Sequence, residues 1–179
     1  MFVDSREKRP LPIPAHVVFR NPTNPDLRET VRVHTQTKEL KTGDYALAGC
    51  EAARLIERKG GVREVTQNVL TGDLKRFAAA LDRLATACAL PLLFIEGHPS
   101  ELLSEQPWCK YPDAAMDTLM RMCDDRRITL EVVPCATMIQ RRAAGEWLVR
   151  RLVNGSLSHY ARCPVQPVPS TAVTPPVAV

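Results

Sequence analysis

The sequence feature that most constrains the fold is a continuous apolar run, PLLFIE, at residues 91–96. A run of this kind, without alternating polar residues, is typical of a strand buried on both faces of a sheet. An amphipathic helix pattern, with apolar side chains three and four residues apart, precedes it from Asp73 to about Ala89. A second helix pattern at residues 112–125 and a second apolar run, ITLEVVP at 128–134, follow it. This alternation of helices with buried strands predicts an α/β fold with a central mixed sheet flanked by helices.

The N-terminal part of the chain contains mainly strand and turn patterns. Five prolines within residues 9–26 predict a segment that is mostly loop. β-Branched and polar residues alternate in ETVRVHTQT at 29–37, which predicts a strand of period two. Two further strand patterns, DYALAG at 44–49 and AARLIERK at 52–59, flank a turn at Gly49 and predict a β-hairpin.

The last helix pattern, ATMIQRRAAGEWLVRRLVNG at residues 136–155, is predicted to end at Asn154–Gly155. Trp147 lies on this amphipathic helix and is expected in the core rather than on a surface that stacks against bases. The segment that follows is rich in proline and has no periodicity, which predicts disorder. The predicted organisation is therefore one folded domain at residues 1–160 and a Pro-rich disordered tail at 161–179.

The composition excludes several classes of protein. No apolar run approaches the roughly 20 residues that would span a bilayer, and the N-terminus lacks the apolar stretch of a secretory signal. The six cysteines form no CxxC pair, so we expect free thiols in a reducing compartment. The formal net charge of +4 is compatible with a nucleic-acid partner, although many basic proteins bind none. We therefore expect a cytoplasmic or nucleoid-associated protein with no membrane partner.

The predicted hairpin carries charged residues that indicate a site. Side chains alternate between the faces of a strand, so Glu57 and Lys59 share one face and Arg58 lies on the other. Asp44 stands thirteen positions before Glu57, a spacing at which an antiparallel hairpin can set the two carboxylates side by side. Two carboxylates beside a lysine can hold a hard divalent cation and orient a water molecule. The alternative, for so short a pattern, is a surface ion pair between Glu57 and Lys59 on an edge strand.

Four short motifs, taken together and in this order, resemble a known family. They are VDSRE at 3–7, LKTGDY at 40–45, IERK at 56–59 and LPLLFIEG at 90–97. Their order and spacing resemble the XPF-type nuclease domain of XPF, Mus and Hef endonucleases and of small stand-alone bacterial and phage proteins. The resemblance covers about residues 1–155. It implies a restriction-endonuclease-like fold and an endonuclease that hydrolyses phosphodiester bonds in branched or flap DNA, with Mg²⁺ or Mn²⁺, during repair or recombination.

The resemblance also implies roles for the residues of the GD and ERK motifs. Asp44 and Glu57 would be metal ligands, and Lys59 would orient the attacking water or stabilise charge on the phosphate. Arg58 belongs to the same catalytic motif and would position either the DNA or a neighbouring carboxylate.

The VDSRE motif supplies further candidates. Asp4 and Glu7 match the first acidic motif of the family and would lie near the metal, with Arg6 as a supporting and DNA-binding residue. The alternative is that Asp4 caps a turn while Arg6 and Glu7 are solvated surface residues.

One position departs from the pattern of the family. The family continues ERK with three residues and then an Asp, but this chain has Arg63 at that position. Glu64 can take the place of the missing Asp as a metal ligand if Gly60 and Gly61 let the chain shift by one residue. Without that shift, we expect a site with fewer carboxylates, or a catalytically weak or inactive DNA-binding or scaffold subunit on the same fold.

The sequence also bears on DNA binding and assembly. The last helix pattern carries a basic face, on which Arg141 and Arg142 are candidates for phosphate contacts; a solvated face is the alternative. The resemblance implies sequence-independent DNA binding and either a homodimer or a partner subunit. The faces at residues 116–122 and 147–152 are the candidate surfaces for that contact.

Overall fold

The apolar run at residues 91–96 becomes the centre of a six-stranded sheet. A computed structural model describes residues 1–21 and 23–162 of the chain. The strands are β1 (Phe2–Asp4), β2 (His16–Arg20), β3 (Arg28–Arg32), β4 (Gln36–Lys38), β5 (Tyr45–Ala46), β6 (Leu55–Lys59), β7 (Leu92–Glu96) and β8 (Thr129–Val133). The helices are α1 (Val62–Leu70), α2 (Leu74–Ala87), α3 (Pro112–Asp124) and α4 (Met138–Arg162), with a short 3₁₀ helix at Pro99–Leu102.

The sheet is mixed, with the strand order β4-β1-β5-β6-β7-β8. Strands β6, β7 and β8 run parallel because helices connect them, whereas β5 pairs antiparallel with both β1 and β6. Strand β4 pairs parallel with β1, and β2 and β3 form a separate antiparallel pair. This arrangement confirms the predicted α/β fold with a central mixed sheet.

Two apolar cores lie on the two faces of the sheet. Helices α1, α2 and α3 cover one face, where Phe77, Leu81 and Leu84 of α2 pack in the same cluster as Leu93 and Ile95 of β7. Helix α4 covers the other face and packs on Ile56 and Phe94. All five residues of β7 are buried, as its unbroken apolar sequence predicted. Each fully buried Leu or Phe stabilises the fold by about 1.5–3 kcal/mol.

Several predictions about single elements were wrong in part. The proline-rich segment contains strand β2, because its prolines lie on both sides of His16–Arg20 and leave the backbone N–H groups there free to pair with β3. The strand predicted at 29–37 is divided between β3 and β4, which belong to different sheets. The predicted buried strand at 128–134 is an edge strand, so β8 is only partly buried.

Helix α4 does not end at Asn154–Gly155 but continues to Arg162. Gly155 is buried in the helix, and a Cβ atom built there would lie 2.2 Å from Nε of Arg54. This glycine therefore permits close packing against Arg54 instead of ending the helix. The helix includes residues 161 and 162 of the predicted tail, whose remaining residues, 163–179, lie outside the described part of the chain.

The cysteines and the helix lengths bear on two of the predictions from composition. The five cysteines within them are free thiols, as expected, and Cys163 lies outside them. None of the helices in the described ranges has both the length and the apolar character that a membrane span requires.

Candidate active site

The hairpin of β5 and β6 brings Asp44 and Glu57 together. Tyr45 pairs with Ile56, and one further step along this antiparallel register sets Asp44 opposite Glu57. The N–H of Asp44 donates to the carbonyl of Ile56 at 2.8 Å, and the N–H of Arg58 donates to Oδ2 of Asp44 at 2.6 Å. The Asp44 carboxylate is therefore fixed beside the strand that carries Glu57.

Gly43 is required for the turn of the chain into this hairpin. Its φ of 77° lies in the left-handed region, and an added Cβ would be 3.3 Å from the carbonyl oxygen of Ile56. A side chain at this position would strain the backbone and press against β6. The Gly-Asp sequence thus sets the position of the Asp44 carboxylate.

Lys59 lies on the same face as Glu57, as strand alternation predicts. Its Nζ is 2.8 Å from Oε1 of Glu57 and 5.6 Å from the centre of the Phe77 ring of α2. The side chains of Lys59 and Glu57 are only 14% and 18% exposed. The pair is therefore partly desolvated under α2, which makes its charges act more strongly on neighbouring groups than a surface ion pair would.

The carboxylates of this site perturb one another. Burial raises the pKa of Asp44 to about 7, and the nearby charge of Glu57 adds to the effect, while the N–H of Arg58 and the ammonium of Lys59 oppose it. Burial lowers the pKa of Lys59, but the carboxylates of Glu57, Glu64 and Asp44 outweigh it and raise that pKa above its ordinary value. Lys59 is therefore a cation near neutral pH, and Asp44 keeps its proton to a higher pH than an exposed carboxyl group does.

Asp44 and Glu57 open into a cleft of about 200 Å³. The cleft lies between α2 and the loop that precedes β5. Its lining residues are Asp4, Arg6, Lys41, Thr42, Gly43, Asp44, Glu57, Ala80 and Arg83. Lys41 and Arg83 were missed by the sequence analysis; the only signals for them are the position of Lys41 just before the Gly-Asp pair and the spacing of Arg83 along an amphipathic helix.

Arg58 points away from the cleft, to the α4 face of the sheet. Its Nε is 2.7 Å from Oε1 of Glu96, and its Nη1 is 2.9 Å from Oε1 of Glu7. Glu96 also forms an ion pair with Arg141 of α4. The side chains of Arg58 and Glu96 are each 6% exposed, and those of Glu7 and Arg141 are 10% and 14% exposed, so these four residues form a largely buried charged network. Burial lowers the pKa of Arg58, but the hydrogen bond to Glu96 outweighs it and the net shift is upward.

Asp4 lines the cleft but is paired within the chain. Its Oδ2 lies 2.6 Å from Nη2 of Arg6, and its side chain is 3% exposed, whereas that of Arg6 is 62% exposed. Burial raises the pKa of Asp4, but its hydrogen bonds with Arg6 outweigh it and lower the pKa below its ordinary value. Glu7, the other predicted ligand of this motif, lies on Arg58 instead of in the cleft.

Glu64 has other partners than Asp44 and Glu57. It lies in the first turn of α1, where its Oε2 accepts the N–H of Gly60 at 3.0 Å and its Oε1 is 3.8 Å from Nζ of Lys59. Within the described ranges, no group of three or more His, Cys, Asp or Glu side chains is arranged to hold a metal ion. The structure thus brings Asp44, Glu57 and Lys59 together and does not gather the five predicted ligands around one point.

The two predicted phosphate contacts on α4 differ from each other. The guanidinium of Arg141 contacts Glu96 and also donates from Nη2 to the carbonyl of Arg9 at 3.1 Å, which does not favour a role in binding phosphate. Arg142 is exposed. Trp147 was expected in the core, but it is 45% exposed and its Nε1–H donates to Oε2 of Glu131 at 2.8 Å.

Comparison with known proteins adds evidence on the fold. No family model matches the sequence, and no curated protein does either. Among solved structures, XPF from Aeropyrum pernix superposes with a TM-score of 0.56 and 18% identity, over 89% of this chain and 68% of that chain. The chain has an XPF-like fold. XPF from Aeropyrum pernix in complex with DNA is similar to the same degree, with a TM-score of 0.55 and 18% identity over 91% of this chain and 66% of that chain.

The XPF-like fold agrees with the restriction-endonuclease-like architecture that the sequence motifs implied. An identity of 18% establishes the likeness of the fold alone. Any statement on chemistry must therefore come from the side chains of this chain.

The carboxylate oxygens in the cleft of this XPF-like fold are ligands of the kind that a hard divalent cation binds. Mg²⁺ is usually bound through one or two carboxylates, with waters and substrate phosphates as its other ligands. Asp44 and Glu57 supply two adjacent carboxylates at an open cleft, and burial together with the charge of Glu57 raises the pKa of Asp44, an effect that a bound cation would oppose. These two residues fit such an ion, whereas the charge of Asp4 is already compensated by Arg6.

Proposed function

We propose that this chain is a metal-dependent DNA endonuclease that hydrolyses phosphodiester bonds in branched or flap DNA, in repair or recombination. The observation that carries the proposal is the carboxylate pair of Asp44 and Glu57 beside Lys59, in an open cleft of an XPF-like fold. The complex of XPF from Aeropyrum pernix with DNA supports DNA as the substrate class.

Asp44 and Glu57 would hold Mg²⁺ or Mn²⁺. When bound, such an ion lowers the pKa of a coordinated water and neutralises charge on a phosphate. Lys59 stays protonated near neutral pH, and its ammonium would stabilise the charge that develops on the phosphate during in-line attack by water. Because Lys59 is held by Glu57, the cation is already oriented and needs little reorganisation when the substrate arrives.

Arg58 would act as a positioning residue. Its guanidinium is buried against Glu7 and Glu96 and does not face the cleft. Its backbone N–H, however, donates to the Asp44 carboxylate and fixes the orientation of that group. Arg58 would therefore act on the site by orienting the Asp44 carboxylate and not by contact with DNA.

The test is cleavage of flap, branched and linear duplex DNA with Mg²⁺ or Mn²⁺ by the full chain and by Asp44→Ala and Lys59→Ala. We expect both substitutions to lower the cleavage rate by at least 100-fold, since each removes a group assigned to the reaction. Glu64→Ala, which removes a neighbouring carboxylate outside the pair, is the matched control and should retain most activity. Undiminished cleavage by Asp44→Ala and Lys59→Ala would sink the proposal.

A second function, a non-catalytic DNA-binding or scaffold subunit, is favoured by one observation. Arg63 stands where the family has an Asp, and the neighbouring Glu64 is engaged with Gly60 and Lys59. Calorimetry with Mn²⁺ separates the two functions, because only the nuclease requires an ion at Asp44 and Glu57. Binding of branched DNA without cleavage, and no heat on addition of Mn²⁺, would favour the scaffold, acting with an active partner subunit or as a homodimer.

A further inference from the structure

Strands β2 and β3 form a two-stranded ribbon whose two faces differ in chemistry. One face packs on α4: Val17 is 1% exposed, and the guanidinium carbon of Arg150 lies 5.1 Å from the centre of the Phe19 ring. Nη2 of Arg150 also donates to the carbonyl of Val18 at 2.8 Å, which fixes the ribbon to the helix. Because side chains alternate along a strand, the other face points to solvent. Its residues are all exposed: His16, Val18 and Arg20 of β2, and Arg28, Thr30 and Arg32 of β3.

The exposed face of the ribbon carries cations without a counter-charge. The register sets Arg20 directly opposite Arg28, and His16 directly opposite Arg32. Within the described residues, none of these three arginines belongs to an ion pair, and their one side-chain hydrogen bond runs from Nη1 of Arg20 to the neutral carbonyl of Pro25. Like charges directly opposite each other destabilise a strand pair. This cost is not offset inside the chain, and an anionic ligand would offset it.

The acidic residues of the hairpin do not lie among these cations. Glu29 pairs with Phe19 in the register and so belongs to the face toward α4, and Asp26 lies in the connecting turn. Neither carboxylate forms an ion pair in the part of the chain that the structure describes. The exposed face therefore presents positive charge at both of its ends and no negative charge between them.

The spacing of these cations matches a groove of duplex DNA. Arg28 and Arg32 are four residues apart on one strand, which corresponds to about 13 Å at about 3.3 Å per residue. The major groove of B-form DNA is about 12 Å wide and admits a two-stranded ribbon. Cations at this spacing reach the phosphates on both walls of one groove. Val18 and Thr30 form the row between them, and a small apolar side chain and a hydroxyl group can face the base edges there.

We propose that the β2–β3 ribbon binds duplex DNA across one major groove, as a surface separate from the cleft. Arg20 and Arg28 contact phosphates of one DNA strand, and Arg32 contacts those of the other. The ribbon packs on α4 whereas α2 lines the cleft, so the central sheet lies between the two sites. The duplex on the ribbon is therefore an arm of the branched substrate other than the one at the cleft.

The inference rests on the DNA-binding part of the proposed function, and it depends neither on the metal nor on cleavage. The experiment measures binding of a short fluorescent duplex by anisotropy, in EDTA, over a series of salt concentrations. The test variant is Arg28→Glu/Arg32→Glu in the full chain. The matched control is Lys110→Glu/Arg121→Glu, which changes the net charge equally at exposed residues beside and within α3, away from the ribbon and the cleft.

We expect Arg28→Glu/Arg32→Glu to weaken duplex binding by at least about 10-fold and to reduce the slope of log K against log salt by about 2, since each lost phosphate contact removes about one unit of slope. The control should change the affinity by less than about 3-fold, a loss that reflects general electrostatics. The urea midpoint of the test variant should stay the same or rise, because the substitutions set carboxylates opposite Arg20 and His16. A loss of binding is then not a loss of fold.

Cleavage of branched DNA with Mg²⁺ gives a second readout. The test variant should have a raised KM and an unchanged kcat, because the ribbon does not contact the reacting phosphate. A test variant that keeps the KM and the duplex affinity of the unsubstituted chain would overturn the ribbon and leave the nuclease function standing. Equal losses of affinity in the two double variants would also overturn it. Ribbon-dependent duplex binding without cleavage in any metal would support the ribbon and contradict the nuclease function.

Discussion

At the scale of single residues, Asp44 combines a position in the proposed site with a cost in stability. Burial of its carboxylate, and next the nearby charge of Glu57, raise its pKa from 3.8 to about 7. A group whose pKa is raised by folding stabilises the folded state fully only below its unfolded pKa, and this stabilisation is lost as the pH rises through the folded pKa. The site is therefore least favourable to folding at the neutral and alkaline pH where the carboxylate is charged.

Asp44→Asn should therefore stabilise the protein in a pH-dependent manner. Asparagine keeps an oxygen that accepts the N–H of Arg58 but has no charge. We expect the variant to gain about 1–3 kcal/mol in free energy of unfolding above pH 7, a value reduced because the cleft admits solvent. Below about pH 4, where the wild-type carboxylate is protonated in both states, the two proteins should unfold alike.

Urea denaturation of both proteins between about pH 3 and pH 8 measures this difference. Asp117→Asn is the control, since Asp117 is an exposed carboxylate of α3 that does not line the cleft and has no ion-pair partner within the described residues. A gain in the free energy of unfolding on Asp44→Asn that is the same at all pH values would show that the buried charge of Asp44 is not its cause.

At the scale of elements, the contact between α4 and Arg54 shows how packing overrides a local signal. Asn-Gly after an amphipathic pattern predicts the end of a helix. In α4, however, Gly155 is buried, and Arg54, which is 7% exposed, occupies the space that a side chain would need. The helix continues because burial of its face against the sheet stabilises it more than one glycine destabilises it.

Gly155→Ala should lower the free energy of unfolding, although alanine is the better helix former. The propensity gain is about 1 kcal/mol, but a Cβ 2.2 Å from Nε of Arg54 displaces a buried guanidinium. We expect a net loss of about 1–2 kcal/mol. Asn154→Ala, at the exposed neighbouring position of the same helix, should be neutral or slightly stabilising.

A double-mutant cycle identifies the cause of this loss. Arg54→Leu/Gly155→Ala should recover part of the stability that Gly155→Ala loses, because the shortened side chain leaves room for the new Cβ. Thermal or urea unfolding of the four proteins gives the coupling energy. A coupling of zero would show that the contact between Gly155 and Arg54 is not responsible.

At the scale of the whole molecule, the buried charged network joins parts of the chain that are distant in sequence. Glu7 follows β1, Arg58 belongs to β6, Glu96 ends β7 and Arg141 lies near the start of α4. The network thus fixes α4 to the strand that carries Glu57 and Lys59, on the face of the sheet opposite the cleft. Removal of one member leaves a buried charge less well compensated.

Arg141→Met and Arg142→Glu should separate stability from DNA binding. Arg141→Met should cost about 2 kcal/mol, since Glu96 loses one of its two cationic partners in a buried place. Arg142 is exposed, so Arg142→Glu should leave the free energy of unfolding within about 0.5 kcal/mol and weaken DNA binding if α4 contacts phosphate. Urea denaturation measures the free energy of unfolding of each variant, and fluorescence anisotropy measures its binding of branched DNA. An Arg141→Met protein as stable as the unsubstituted chain would contradict the structural role of the network.

Much of the fold followed from patterns that are local in sequence. The periodicity of α2, the unbroken apolar run of β7 and the hairpin of β5 and β6 each predicted an element that the structure contains. The candidate site was partly predictable for the same reason, because strand alternation alone sets Glu57 and Lys59 on one face. Strand β2 was missed since the prolines near it are a stronger local signal than its short apolar pattern.

The sequence by itself determined the class of fold and the pairing of Asp44 with Glu57 across one hairpin, since both depend on short-range periodicity and register. Only the tertiary structure decided the partners of charged residues that lie far apart in the chain. It set Arg141 on Glu96, directed Glu64 to Lys59, and brought Lys41 and Arg83 to the cleft of Asp44 and Glu57. These contacts depend on how helices and loops pack over a sheet, and no periodicity within one segment encodes the distance between two segments.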